Sequence, residues 1–207
     1  MLSLDEGKFL VKLARKNIES YIKVGKKIEI PKDISEKLKE KAGVFVTLRK
    51  LKEPGPEKEL RGCIGYPLPH LPLIDAVIES SISSATKDSR FSRVKAVELD
   101  NIIVEVSALT PPEEIKVNNP EEYLEKIKIG RDGLIVEYSG NSGLLLPQVP
   151  VDWKWDVKTY LEHLMQKAWL PSNIWKEKDV KISSFQAEIF EEETPRGEVV
   201  RREIGEC

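Results

Sequence analysis

A helical spacing of apolar residues dominates the beginning of the chain. Apolar side chains recur there every three or four positions, at Leu10, Leu13, Ala14, Ile18, Tyr21 and Ile22. Ser3 and Glu6 have the spacing of a capping box, in which each side chain bonds the backbone N–H of the other residue. Gly25 follows the last apolar position and is a typical helix stop. We therefore predict an amphipathic helix over residues 4–24.

Strand patterns appear further along the chain. Residues 102–109 have the pattern of a strand, in which Glu105 and Ser107 alternate with Val104, Val106 and Ala108. Residues 44–48 and 60–65 flank a Pro- and Gly-containing loop at 54–56, which predicts a hairpin. The same reasoning predicts helices over 35–41, 73–87, 120–128 and 157–168, and strands over 134–138, 144–146 and 180–190.

These elements favour an α+β fold, because hairpins join the strands as often as helices do. We expect an antiparallel sheet flanked by helices in a larger lobe, with a smaller α+β lobe packed beside it. The predicted larger lobe comprises residues 1–112 and 178–195, and the smaller lobe comprises 113–177. Residues 196–207 are predicted to form a charged tail.

Composition narrows the classes of function. The 207 residues carry 33 Lys and Arg against 35 Asp and Glu, so net charge indicates neither nucleic acid nor an anionic membrane as a partner. No apolar run is long enough for a membrane span, and the N-terminus lacks a signal-peptide pattern, so we expect a cytoplasmic protein. Charged residues make up 33% of the chain, a balance typical of proteins from thermophiles.

The most informative chemistry lies in residues 60–65, Leu-Arg-Gly-Cys-Ile-Gly. On a strand, Arg61 and Cys63 would share one face, and a guanidinium beside a thiol lowers the pKa of the thiol. The backbone amides of Gly62 and Gly65 would then be available to an anionic group. The alternative is that Cys63 is a buried packing residue, as free cysteines often are. Cys207 is the other cysteine, and the pair indicates neither a disulfide framework nor a zinc site.

Two further hypotheses assign roles around Cys63. If Cys63 is a catalytic nucleophile, with Arg61 as thiolate stabiliser, the candidate partners are His70, His163, Glu105 and Asp88. If the site binds a small anionic or nucleotide-like ligand, its candidate residues are Gly62, Gly65, Asp88, Arg90 and Gln148, with Arg61 as a second anion anchor. Nothing in the spacing indicates a metal or another cofactor.

Taken together, these stretches resemble the AMMECR family, named for the Alport syndrome, mental retardation, midface hypoplasia and elliptocytosis chromosomal region. Residues 60–65 match its signature, and further similar motifs include those around Asp88, Glu105, Pro147 and Phe185, over roughly residues 4–193. Trp169 departs from the family pattern, which usually has glycine there.

The resemblance implies two unequal α+β lobes with the signature near the seam between them, but it implies no particular reaction. It also implies an association with partners of the radical-SAM or dioxygenase-like type. Three functions therefore stay open: a ligand-binding protein, a thiol-dependent enzyme with Cys63 as nucleophile, and a non-catalytic adapter. For the adapter, the sequence offers only a group of four tryptophans and the charged tail.

Overall fold

The structure is a computed structural model that describes residues 1–51 and 57–205. The chain divides into two compact units. The first unit contains Met1–Leu109 and Glu188–Arg202, and the second contains Thr110–Ala187 and the described residues from Glu203 onward. The loop predicted at 54–56 and the second cysteine, Cys207, lie outside the described residues.

The described residues form helices and strands in both units. The helices are α1 Leu4–Val24, α2 Leu73–Thr86, α3 Tyr123–Lys126, α4 Gln148–Asp152 and α5 Val157–Lys167. The strands are β1 Gly43–Leu51, β2 Lys58–Tyr66, β3 Ile102–Leu109, β4 Glu113–Glu114, β5 Gly133–Tyr138, β6 Asn141–Leu145, β7 Lys181–Phe185, β8 Ala187–Glu192 and β9 Val199–Arg202. No helix in the described ranges is both long enough and apolar enough to cross a membrane.

The first unit is built on a five-stranded sheet in the order β2-β1-β3-β8-β9. Helices α1 and α2 pack on one face of this sheet, where Val44, Val46 and Leu48 of β1 are buried against them. The second unit has a four-stranded sheet in the order β4-β7-β5-β6, and α5 packs on β5 and β6. The predicted α+β class, with antiparallel strands flanked by helices, is confirmed.

The capped helix predicted at the N-terminus is also confirmed. The Ser3 hydroxyl accepts a hydrogen bond from the Glu6 N–H at 3.1 Å, and the Glu6 carboxylate accepts one from the Ser3 N–H at 2.7 Å. Gly25 adopts a left-handed conformation with φ of 72° and ends α1. Both ends of this helix therefore follow from local sequence.

Two short helices are smaller than predicted. Residues 35–41 contain only a 3-10 turn, Glu36–Lys39, and residues 120–128 contain a 3-10 turn, Pro120–Glu122, that continues into the single turn of α3. Helices this short gain few backbone hydrogen bonds for the residues they order, so packing decides their form.

The C-terminal part of the chain differs most from its prediction. The strand predicted over 180–190 is two strands, β7 and β8, which belong to different sheets. Residues 178–187, predicted for the larger lobe, lie in the second unit because β7 pairs with β4 and β5. Residues 199–202 of the predicted tail form β9, which pairs with β8 and so joins the sheet of the first unit.

Helix α5 ends in a Schellman motif with a tryptophan where glycine is favoured. The Leu170 N–H bonds the Met165 carbonyl and the Trp169 N–H bonds the Gln166 carbonyl, each at 3.0 Å. Trp169 occupies the position of this motif that takes a left-handed conformation, with φ of 59°. This conformation strains residues that have a Cβ. The glycine that is usual at this position in the family that the sequence resembles therefore has a conformational reason.

We expect Trp169→Gly to stabilise the protein by about 0.5–1 kcal/mol, because glycine relieves the left-handed strain. Little packing is lost, since Trp169 is 93% exposed. Urea unfolding measures the change in free energy. Trp153→Gly is the matched control, because Trp153 is also exposed but has a negative φ of -98°. A Trp169→Gly variant less stable than the parent would contradict the strain argument.

Candidate functional site

Cys63 lies on the face of the five-stranded sheet opposite α1 and α2. The strand register pairs Thr47 of β1 with Cys63 of β2 on one side and with Glu105 of β3 on the other. These three side chains therefore form a row across adjacent strands, and the Thr47 hydroxyl donates a hydrogen bond to Cys63 Sγ at 3.4 Å. Ser107 follows Glu105 two residues later on the same face of β3. We call these four residues the Cys63 row.

Glu105 is the central charge of this face. It is 0% exposed, and its Oε2 atom lies 3.2 Å from Arg202 Nη1 and 3.6 Å from Arg49 Nε. Its other oxygen, Oε1, is buried and has no hydrogen-bond partner in the described residues, and the same holds for the Ser107 hydroxyl. Buried polar atoms are normally hydrogen-bonded, so these two atoms distinguish this face from an ordinary sheet surface.

Burial raises the pKa of the Cys63 thiol. The Thr47 hydrogen bond opposes that effect, the charge of Glu105 adds to it, and Arg90 and Asp88 act in opposite directions with smaller effects. Cys63 is therefore a neutral thiol at neutral pH. The predicted lowering of this pKa by Arg61 is not found: Arg61 is not among its causes, and burial outweighs the opposing charge of Arg90.

Arg61 is bound elsewhere. A register irregularity between Leu48 and Arg49 places Arg61 at a bulge in β2. Its Nε and Nη2 atoms donate to the two carboxylate oxygens of Glu98 at 2.9 and 3.1 Å, and these bonds hold the pKa of Glu98 at about 2. Arg61 itself is buried. Its guanidinium is thus neutralised by Glu98 and does not stabilise a Cys63 thiolate, contrary to the shared-face prediction.

The two glycines of residues 60–65 have packing roles. A Cβ on Gly62 would lie closer than 3.0 Å to the carbonyl oxygen of Ser84 in α2. A Cβ on Gly65 would lie closer than 3.0 Å to the Val44 carbonyl oxygen and to the Phe45 ring. Close approach of the backbone therefore explains both glycines. Their predicted use as amide donors to a ligand stays a prediction.

Asp88 connects the backbone of Cys63 to Arg90. Asp88 Oδ2 accepts hydrogen bonds from the Cys63 N–H at 2.8 Å and from Arg90 Nη2 at 2.7 Å. Asp88 Oδ1 accepts one from Arg90 Nε at 3.0 Å. The Arg90 hydrogen bonds are the largest cause of the pKa of Asp88 being lowered to about 2. The structure thus brings Asp88 and Arg90 to the backbone of Cys63, and the ligand-binding role expected of these two residues stays a prediction.

We expect Asp88→Asn to destabilise the protein by about 1–2 kcal/mol at pH 7, because it removes charge-assisted hydrogen bonds to Arg90 and the Cys63 amide. A carboxyl group whose pKa is lowered on folding stabilises the fold above its unfolded pKa of 3.8, and loses that contribution as pH falls towards 2. The difference between parent and variant should therefore shrink below pH 4. Urea unfolding at a series of pH values measures it.

Asp179→Asn is the control, because Asp179 is exposed and has no hydrogen bond in the described part of the chain. Its effect should be small at every pH. A difference for Asp88→Asn that stays constant from pH 7 to pH 2 would show that the ion pair is not its origin.

The remaining predicted residues are more widely distributed. His70 is exposed, and its side chain makes no hydrogen bond to Cys63 in the described residues. His163 and Gln148 belong to the second unit, where the His163 ring stacks on Trp155 at 3.9 Å and Gln148 is buried with Oε1 unpartnered. Their roles at the site, and its place in a seam between lobes, stay predictions. Within the described ranges, no group of three or more His, Cys, Asp or Glu residues could hold a metal ion.

Sequence reasoning missed part of this arrangement. Thr47, Ser107, Arg49 and Arg202 were not candidate residues, although all four lie beside Cys63 or Glu105. The alternation in β3 already placed Ser107 on the same face as Glu105, so the sequence could have identified Ser107 as a candidate. Arg202 had none, because its position depends on β9 joining the sheet.

The fold and site define an α+β protein with a buried polar row beside a neutral cysteine on its main sheet. The AMMECR1 family profile matches residues 11–190, and the chain belongs to this family. It is 57% identical to protein MJ0810 of Methanocaldococcus jannaschii over 204 residues, covering 99% of this chain and 98% of the relative. It is also 57% identical to protein PYRAB00100 of Pyrococcus abyssi over 198 residues, covering 96% of each.

A solved structure agrees with this assignment. The crystal structure of the uncharacterized protein PH0010 from Pyrococcus horikoshii matches with a TM-score of 0.92 and 53% sequence identity, covering 98% of each chain. These relatives come from archaea, and none of their names states an activity.

Proposed function

We propose that this protein binds a small polar molecule at the Cys63 row. The observation that carries the proposal is the pair of buried, unpartnered polar atoms, Glu105 Oε1 and the Ser107 hydroxyl, beside a partly exposed cysteine. Leaving a polar group buried and unpaired costs about 1–3 kcal/mol. A bound molecule that supplies the missing hydrogen bonds recovers that cost, which is a physical reason for a ligand at this face.

The charges around the row also support binding. Arg61 is paired with Glu98, and Arg90 with Asp88, so neither guanidinium is free to generate a thiolate. Glu105 is paired with Arg202 and approached by Arg49, whose side chains are only partly buried. A ligand can therefore meet hydrogen-bonding groups that neighbouring ion pairs hold in place, with Glu105 Oε1 and the Ser107 hydroxyl still unpartnered.

A thermal-shift screen of small polar metabolites tests this function. At least one compound should raise the Tm of the parent protein, because a ligand that binds only the folded state stabilises it. Ser107→Ala should weaken the response at least tenfold in ligand concentration. Ser80→Ala is the matched control, since Ser80 is equally buried with an unpartnered hydroxyl but lies in α2. Equal responses of the two variants, or no response to any compound, would refute binding at this row.

A thiol-dependent enzyme is the second candidate function. The observation in its favour is the free Oε1 of Glu105, close enough for its charge to raise the pKa of Cys63. In this mechanism Cys63 Sγ attacks an electrophile, and its proton passes to the Glu105 carboxylate by way of the Thr47 hydroxyl, which lies between the two residues. Cys63 would then stay neutral between turnovers.

Alkylation of Cys63 by iodoacetamide distinguishes the ligand-binding protein from the thiol-dependent enzyme, because the two predict opposite effects of Glu105→Gln on the alkylation rate. In a Cys207→Ala background, Glu105→Gln removes a negative charge beside Cys63 and should speed alkylation at pH 7.5 if Glu105 acts only through its charge. If Glu105 is the base, the same substitution should slow alkylation. Circular dichroism and thermal melts confirm that both proteins are folded.

The adapter function and the radical-SAM or dioxygenase-like partners stay predictions. Trp153 and Trp169, exposed by 70% and 93%, are surface features of the second unit that an adapter could use. Exposed aromatic residues are common at protein interfaces. The unpartnered atoms of the Cys63 row make ligand binding the better supported function.

A further inference from the structure

The unpartnered atoms of the Cys63 row also limit the chemistry of the ligand. This inference rests on the function proposed above and concerns the same site. Glu105 Oε1 only accepts hydrogen bonds, so the group that satisfies it must carry an N–H or O–H. The Ser107 hydroxyl can donate or accept, and therefore fits a neighbouring atom of either kind.

The two guanidinium groups beside Glu105 limit the charge of the ligand group that donates to Oε1. Arg202 Nη1 and Arg49 Nε lie 3.2 and 3.6 Å from Glu105 Oε2, so two positive charges already face one carboxylate. A cationic ligand group would bring a third positive charge beside them. An anionic group would face the unpartnered carboxylate oxygen directly. A neutral donor avoids both repulsions.

The donor–acceptor pattern is that of an amide. Arg49 Nε is a buried donor without a hydrogen-bond partner in the described residues. It lies 3.6 Å from Glu105 Oε2, the oxygen next to the unpartnered acceptor Oε1. A carboxamide or urea group carries an N–H and a carbonyl oxygen side by side. Such a group matches both kinds of unpartnered atom, because its N–H is a donor for Glu105 Oε1 and its oxygen is an acceptor for Arg49 Nε or the Ser107 hydroxyl.

We propose that the Cys63 row recognises the neutral amide or urea group of its ligand, with Glu105 Oε1 accepting the ligand N–H. Recognition of this kind is selective, because an analogue that lacks the donor leaves the buried oxygen unpaired. The anionic or nucleotide-like ligand expected from the sequence relied on Arg61 and Arg90 as free anchors. Both are bound to carboxylates.

Disulfide tethering at Cys63 tests the ligand class directly. The full chain with Cys207→Ala is equilibrated with four fragments on one linker, ending in a primary amide, an N,N-dimethylamide, a carboxylate or a trimethylammonium group. Cys63 Sγ forms a disulfide with the fragment and releases the fragment's cysteamine half as a thiol. Excess cysteamine keeps the exchange at equilibrium, so mass spectrometry of the labelled fraction reports contacts and not thiol reactivity.

We expect the primary amide to be favoured at least tenfold over the dimethylamide, which has no N–H. Glu105→Gln should reduce this preference, and Ser80→Ala should leave it unchanged. A preference that survives Glu105→Gln would overturn the role of Glu105. A preference for the carboxylate or the trimethylammonium would overturn the neutral class while leaving a binding site in place.

Equal labelling by all four fragments would also overturn this inference. In that case the metabolite screen decides the wider proposal: a compound whose stabilisation requires Ser107 would preserve ligand binding at the row, and the absence of any such compound would remove it. The two failures are therefore distinguishable.

Discussion

Replacing Gly62 with alanine is expected to destabilise the protein by about 3 kcal/mol or more. The added Cβ would lie closer than 3.0 Å to the backbone carbonyl oxygen of Ser84, and backbone yields less readily than a flexible side chain. Ser84 also binds this region directly, since its hydroxyl donates to the Val46 carbonyl at 2.7 Å and accepts from the Ile64 N–H at 2.9 Å. Moving α2 away from β2 would break these bonds.

Urea unfolding of Gly62→Ala and of Gly205→Ala measures this effect against a control. Gly205 has no atom within 4 Å of an added Cβ and no positive φ, so alanine there should change the free energy of unfolding by less than about 0.5 kcal/mol. If Gly62→Ala were as stable as Gly205→Ala, the close approach of α2 to β2 would be wrong. This result would also favour the role first predicted for Gly62, in which its backbone amide donates to a ligand.

Glu192→Ala is expected to cost about 3–5 kcal/mol, because it removes the carboxylate that hydrogen-bonds a buried arginine. The other carboxylate near Arg15, that of Glu19, is more distant, at 3.7 Å from Arg15 Nη1. Arg15 Nε donates to Glu192 Oε1 at 2.6 Å, and Arg15 Nη2 contacts Glu192 Oε2. The Val104 N–H donates to the same carboxylate at 2.9 Å. Glu192 is 3% exposed and Arg15 is 7% exposed, so water cannot replace the lost partner.

A double variant separates the ion pair from simple loss of packing. Arg15→Met with Glu192→Met removes both charges, and buried ion pairs are often replaced by apolar residues at little cost. We expect the double variant to recover at least half of the stability lost in Glu192→Ala, measured by urea unfolding at pH 7. A double variant less stable than Glu192→Ala would show that the hydrogen bonds to the backbone matter more than the charge pair.

The structure changes the meaning of residues 60–65. Arg61, Gly62 and Gly65 have structural reasons in their contacts with Glu98, Ser84 and Phe45. Cys63 is the member of that run whose side chain contacts the buried polar row. The functional signal therefore extends from the run to β1 and β3, where Thr47, Glu105 and Ser107 lie.

Much of the fold was predictable because it depends on local patterns. The capping box and Gly25 predicted both ends of α1, and the run of strand-forming residues predicted Ile102–Leu109 with its observed bounds. The first lobe was predicted to end at residue 112, and the first unit of the structure ends at Leu109 before the chain returns to it at Glu188. Predictions failed where strand pairing determines the element. An example is β9, a short strand that forms by pairing with β8.

At the site, spacing along a strand or a turn is enough to predict that Glu105 and Ser107 share a face and that Asp88 and Arg90 can form a local pair. The burial of this polar face, the position of Thr47 between Cys63 and Glu105, and the pairing of Arg61 with Glu98 follow from the folded chain. Register, bulges and burial depend on residues distant in the sequence, and these residues set the partners and the pKa of each side chain.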